Sequence, residues 1–151
     1  MEKDGLLTHW PQVRKDLLIL LDLFSEEDLV FLPAEGGWPV GRILLHIGSA
    51  AEFWLHSGIL SSNNTYQPGN QILENYPSRL AIKAYLCAEH RETLYLLENF
   101  DENKWHQPFL YPDGQTYRPS WIFWHVLEHE IHHRGELSMI LGLLGKRGLE
   151  V

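Results

Sequence analysis

WIFWHVLEHEIHHRGELSMILGLL, residues 121–144, decides the fold. Ile122, Val126, His129, His133, Leu137, Ile140 and Leu144 recur at steps of three and four, the spacing of one face of a long helix. That face is apolar, yet two of its positions are histidines. A polar group aimed at a core is costly unless it is paired, and imidazoles one turn apart are spaced to share one metal ion.

Working outward, three more helices are expected. The first spans residues 10–24, capped by Thr8 with Pro11 in its first turn, and carries Val13, Leu17, Leu20 or Leu21, and Phe24 on one stripe. Ser25-Glu-Glu-Asp then opens a short turn over residues 26–31. After a Gly- and Pro-rich connection, the second helix covers residues 40–60, with His46 on a stripe with Ile43, Ala50 and Phe53. Residues 61–76 read as a loop. The third helix runs to Phe100 from an N-cap at Ser78, its stripe passing through Ile82, Leu86, His90 or Glu89, Thr93, and Leu96 or Leu97. Residues 101–118 break the period; YPDGQTYR contains a turn signal between β-prone runs, so a small hairpin over one end is expected. Ser120 is the expected cap of the last helix, and Gly145 follows its end. Four helices with apolar faces make an all-α four-helix bundle, with residues 1–151 as a single domain; two longer connections leave room for a non-sequential topology.

Composition narrows the function. Of 151 residues 44% are hydrophobic, with six tryptophans, enough for a full core. No run of about 18 apolar residues suits a membrane span, and the first residues lack the basic-then-apolar order of a signal peptide; cytoplasm is the expected location. The net charge is −8, and Lys and Arg are scattered, which argues against a nucleic acid partner. The lone Cys87 falls inside a helical pattern and reads as an inert buried thiol.

Nine histidines is a high count, and four lie between residues 125 and 133. His129 and His133 are central on the apolar face. His125 and His132 lie at its edge, as rim or solvated residues. Two histidines do not complete a catalytic site, which commonly has three protein ligands and an open position. His46 is the best third ligand. His9, His56, His90 and His106 read as helix-end, outer-face or loop residues. Three imidazoles select borderline divalent transition metals, Zn, Ni, Co or Fe(II), over Mg or Ca. A competing motif is H-E-x-x-H, 129–133, the zinc-peptidase signature with Glu130 as general base. Residue 136 is Glu where the extended motif needs Gly, few residues follow His133, and Glu130 points off the stripe as a solvated residue.

Taken together, GGWPVGRILLH ending at His46 and HEIHHRGEL starting at His129 resemble the DinB-like family, whose wider superfamily includes bacillithiol- and mycothiol-dependent S-transferases. The resemblance spans nearly the whole chain. It implies an up-down-down-up bundle, commonly a homodimer, with metal ligands at His46, His129 and His133. The family often has Gln after Arg-Gly where this chain has Glu136; Glu136 and His125 are therefore the catalytic candidates, Glu136 also as a hydrogen-bond acceptor for a ligand histidine. Arg134 reads as a structural salt-bridge partner, and Trp38, Trp54, Trp121 and Trp124 as core or interface residues. Three functions follow as expectations. The first is a metal-dependent S-transferase acting on a small-molecule thiol and an electrophile. The others are a metal-dependent hydrolase using metal-bound hydroxide, and a non-catalytic metal-binding stress protein.

Overall fold

A computed structural model describes residues 2–60, 69–111 and 113–149, apart from the Ser57 side chain. Its helices are α1 (Lys3–Leu23), α2 (Val40–Glu52), α3 (Arg79–Asn99) and α4 (Pro119–Leu143), with a two-stranded hairpin, β1 (Phe109–Leu110) and β2 (Thr116–Tyr117), between the last two.

Side-chain pairs give the helix directions. Arg14 meets Glu130, Asp16 meets Arg134 and the Leu23 carbonyl meets Lys146, so α1 and α4 rise together. Lys3 reaches the carbonyls of Glu98 and Phe100, while Arg79 reaches those of Asp22 and Phe24, so α3 runs opposite to α1. His46 stacks on His129 and His133 whereas Trp54, further along, meets His125 and Trp121, so α2 opposes α4. Gly48 faces Tyr85 and His56 faces Glu92, so α2 and α3 are parallel. The order is up-down-down-up, with α1 and α2 each packed on both α3 and α4.

The start of α1 differs from expectation. The helix begins seven residues before Trp10 and runs through Pro11. Proline removes one backbone donor, but Leu6 and Trp10 are both fully buried. Burying each such side chain contributes about 1.5–3 kcal/mol, which offsets much of the lost bond. Thr8 does not cap; its hydroxyl donates back to the Asp4 carbonyl at 2.8 Å. The Ser25 turn forms as expected: Ser25 N–H donates to Asp28 Oδ2 at 2.6 Å and Asp28 N–H donates to Ser25 Oγ at 3.2 Å. Ser78 caps α3, accepting from Ala81 N–H at 3.1 Å.

Helix α2 continues to Ile59, but Phe53–Ile59 is wound as a π-helix. Tyr111 explains the widening: its ring packs against Gly58 and its hydroxyl donates to the Phe53 carbonyl at 2.9 Å. Residues 61–68 of the expected loop, and Pro112 of the expected turn, lie outside the described residues. Pro119, not Ser120, opens α4, with extended Arg118 as the cap residue; proline presets φ for the first turn. At the other end Gly145, at φ 71°, and Lys146 donate to the Gly142 and Leu141 carbonyls, a Schellman closure.

The core has two halves. One gathers Leu17, Leu20, Ile43, Leu44, Leu86, Leu137 and Ile140; the other gathers Leu6, Trp10, Val13, Trp105, Ile122 and Phe123. Between them lies a buried polar network. Arg14, 3% exposed, donates Nε and Nη2 to the two oxygens of Glu130 at 2.7 and 3.0 Å, Nη2 also to Glu89 at 3.0 Å, and Nη1 to the Leu86 carbonyl at 2.6 Å. Trp10 Nε1 donates to Glu130 Oε2 at 2.7 Å. Glu130 is 1% exposed, which corrects the expectation of a solvated residue. The stripe reading followed one face of α4, but this helix packs on both α1 and α2, and the face toward α1 is buried too.

Candidate metal centre

Three imidazoles from two antiparallel helices meet between α2 and α4. His46 Nε2 and His129 Nε2 are 3.1 Å apart. Ring centroids are 4.8 Å apart for His46–His129, 5.1 Å for His46–His133 and 4.5 Å for His129–His133. One ligand atom from each residue lies within 4.8 Å of the others, and the set could hold a metal ion. Two nitrogens bound to one ion at about 2.1 Å sit roughly 3.0–3.4 Å apart. The same separation suits a hydrogen bond in which one ring donates.

At His46 and His129 the surroundings favour the neutral, metal-ready ring. Burial, with added repulsion from His133 and His46, pushes the His129 pKa down to about 3. Burial also lowers that of His46, helped by the charges of His133 and Arg42 and opposed by Glu136. His133 Nδ1 meets Glu136 Oε2 at 2.7 Å, an arrangement that fixes the tautomer and leaves Nε2 for an ion. Three half-buried imidazoles with a carboxylate behind one of them are a donor set that fits a borderline divalent metal.

The other sequence candidates distribute differently. His125 is half-buried, one turn before His129, and stacks flat on Trp121 with centroids 4.6 Å apart and planes 7° apart. Tyr117 stacks on the far side of Trp121 at 4.9 Å, so a column of rings leads from the hairpin toward His129. His132 is exposed, and forms with His133 and Glu136 a second potential ligand group at the rim. Arg134 pairs with Asp16 at 3.0 Å, as expected. His90 is not an outer-face residue: it is buried beside Trp10, and neither ring nitrogen has a hydrogen-bond partner among the described residues. Cys87 is half-buried and outside both histidine groups.

Glu130 serves structure instead of chemistry. Both its oxygens are taken by Arg14 and Trp10, so it offers no base to a peptide. The H-E-x-x-H match is thus two candidate ligands flanking a network residue.

A cleft of about 450 Å³ adjoins His46, lined among others by Trp38, Arg42, Ser49, Gln71 and Leu73. Arg42 lies 4.2 Å over the Trp38 ring. Sequence reasoning passed over Arg42, although its place four residues before His46 puts both on one helix face.

An up-down-down-up bundle with histidines facing each other across α2 and α4 defines a class of small helical proteins with a candidate metal centre. The profile of the DinB superfamily matches residues 9–137, and the chain belongs to that superfamily. Among solved structures, a DinB-like protein from Bacillus cereus superposes with a TM-score of 0.79 at 21% identity, covering 98% of this chain and 96% of that one. YfiT from Bacillus subtilis, described as a probable metal-dependent hydrolase with an unusual four-helix bundle topology, gives a TM-score of 0.65 at 21% identity, with 93% and 88% covered. A mycothiol-dependent maleylpyruvate isomerase gives 0.64 at 15% identity, with 88% of this chain and 60% of that one covered. These likenesses establish the fold. No curated protein sequence matches the chain.

Proposed function

We propose that His46, His129 and His133 hold a divalent transition metal, Zn, Ni, Co or Fe, and that the protein is a metal-dependent S-transferase joining a small-molecule thiol to an electrophile. The observation that carries this reading is the convergence of three imidazoles, two of them 3.1 Å apart, with His46 also lining an open cleft. A divalent ion supplies Lewis acidity that draws a thiol or water proton off near neutral pH. Glu136 orients His133 through Nδ1. In S-transfer to a haloaromatic, a bond forms between the thiol sulfur and the ring carbon, the carbon–halogen bond breaks and halide leaves with its electron pair, and the thiol proton passes to a base; Glu136 and His125 are the two candidates. The mycothiol dependence of one structural relative supports a thiol as co-substrate.

A hydrolase working on the same ligands is the second reading, favoured by the description of YfiT. One experiment separates them. Protein reconstituted with each metal, and checked by elemental analysis, is incubated with a thiol and a haloaromatic electrophile, and separately with an ester and no thiol. Thiol-dependent product above the chelated control supports the transferase. Ester cleavage without thiol moves the assignment to the hydrolase, and metal uptake with neither activity leaves a non-catalytic metal-binding protein. A homodimer and a cytoplasmic location belong to the same reading, checked by sedimentation equilibrium and cell fractionation.

A further inference from the structure

We propose that the cleft beside His46 binds a carboxylate, read by Arg42, so that the small molecule brought to the metal centre is an anionic one. The inference rests on the metal-centre reading above and names its substrate class. Arg42 is one turn before His46 on α2, and both line the same cleft of about 450 Å³. Its guanidinium lies 4.2 Å over the Trp38 ring. Such stacking restricts a flexible side chain while the edge N–H groups stay available in the guanidinium plane.

The charge on Arg42 is also uncommitted. In a chain with twelve basic and twenty acidic residues, Arg14, Arg79 and Arg134 each hold a carboxylate. Among the described residues none forms an ion pair with Arg42, although Glu74 lines the same cleft and is exposed. The planar fork of a guanidinium matches a carboxylate with two parallel hydrogen bonds. Trp38 and Leu73 add apolar wall for the body of such a ligand, and Ser49 and Gln71 add polar edge. A molecule with a carboxylate at one end and a thiol or other metal-seeking group at the other would span from Arg42 to the histidines.

The test uses calorimetric titration of the full chain, zinc-loaded and chelated, with 3-mercaptopropionate and with 2-mercaptoethanol. Wild type is expected to prefer the carboxylate thiol by at least about tenfold. Arg42→Gln should erase that preference while leaving zinc stoichiometry and 2-mercaptoethanol affinity unchanged; Arg42→Lys should keep part of it. A preference that persists in Arg42→Gln, or is absent from wild type, overturns the proposal. Failure to take up zinc overturns the metal-centre reading instead, and the preference of the chelated protein then still decides the role of Arg42.

Discussion

Arg14 and Glu130 form a two-pronged buried ion pair, Nε to Oε1 at 2.7 Å and Nη2 to Oε2 at 3.0 Å, that joins α1 to α4 in the middle of the bundle. Burial alone would lower the arginine's pKa, but Glu130 and Glu89 together raise it. Removing one partner of such a pair strands a charge in the core. Arg14→Met is therefore expected to lose about 3–5 kcal/mol in denaturant unfolding. Glu130→Gln should bind as much metal as wild type, because the carboxylate faces α1 and not the histidines; loss of metal uptake in a folded Glu130→Gln protein would contradict that.

The pH dependence of stability should carry the mark of His90. Burial, then the charge of Arg14, pushes its pKa down to about 3 from 6.5. The unfolded chain thus binds a proton that the folded one refuses, so this group's contribution is present above pH 6.5 and is lost as pH falls toward 3. Glu89 acts in the opposite sense, since burial raises its pKa to about 7 and its contribution fades as pH rises through that value. The useful quantity is the difference between variants. In chelated protein, stability measured at several values from pH 7 to pH 4 should fall less steeply for His90→Leu than for wild type, by up to ~1.4 kcal/mol per pH unit. Parallel curves would show that His90 takes no part.

Single alanine substitutions at His46, His129 and His133 should each abolish tight metal binding, whereas His132→Ala should not. In wild type, free metal at a hundred times its dissociation constant should raise stability by about 2.7 kcal/mol, a gain absent from the three variants. Thermal scans with and without added metal provide the check.

Glu136 touches no ion in the proposed arrangement but sets the ring of His133. Glu136→Ala should weaken metal affinity about 10–100-fold, with Gln at this position intermediate because its amide oxygen still accepts from Nδ1. Competition against a metal-responsive dye reads the difference, and unchanged affinity in the alanine variant would remove the positioning role.

Gly58 in the π-helix has no room for a methyl group: a Cβ there would lie 1.8 Å from the Tyr111 ring. Gly58→Ala should cost about 1–3 kcal/mol. The denaturation midpoint should fall with an unchanged slope. Gly58→Ala combined with Tyr111→Leu, which removes the clashing ring, should cost less than the two single changes summed.

What could be read in advance was local or periodic. His129 and His133 stand one turn apart on α4, and His46 sits on an inward stripe of α2, so periodicity alone picked out three residues that the fold then brings together. The Ser25 and Ser78 caps depend on neighbours three residues away, and both formed. Glu130 was misjudged because its partner lies 116 residues away, beyond any helical period. The early start of α1 was hidden by Pro11, whose local cost is outweighed by the burial of Leu6 and Trp10 against other helices. The π-helix depends on Tyr111 in the hairpin connection, and no pattern within residues 53–59 announces it.

The contact between His46 and His129 joins positions 83 apart in the chain, across the surface on which α2 packs against its antiparallel partner α4. An ion gripping both would act as a removable clasp across a long stretch of chain, stabilising the closed seam because it binds the folded state and is released from the unfolded one. Stripping it should therefore slacken the seam between the second and fourth helices first, with amide exchange quickening there before it does around Arg14.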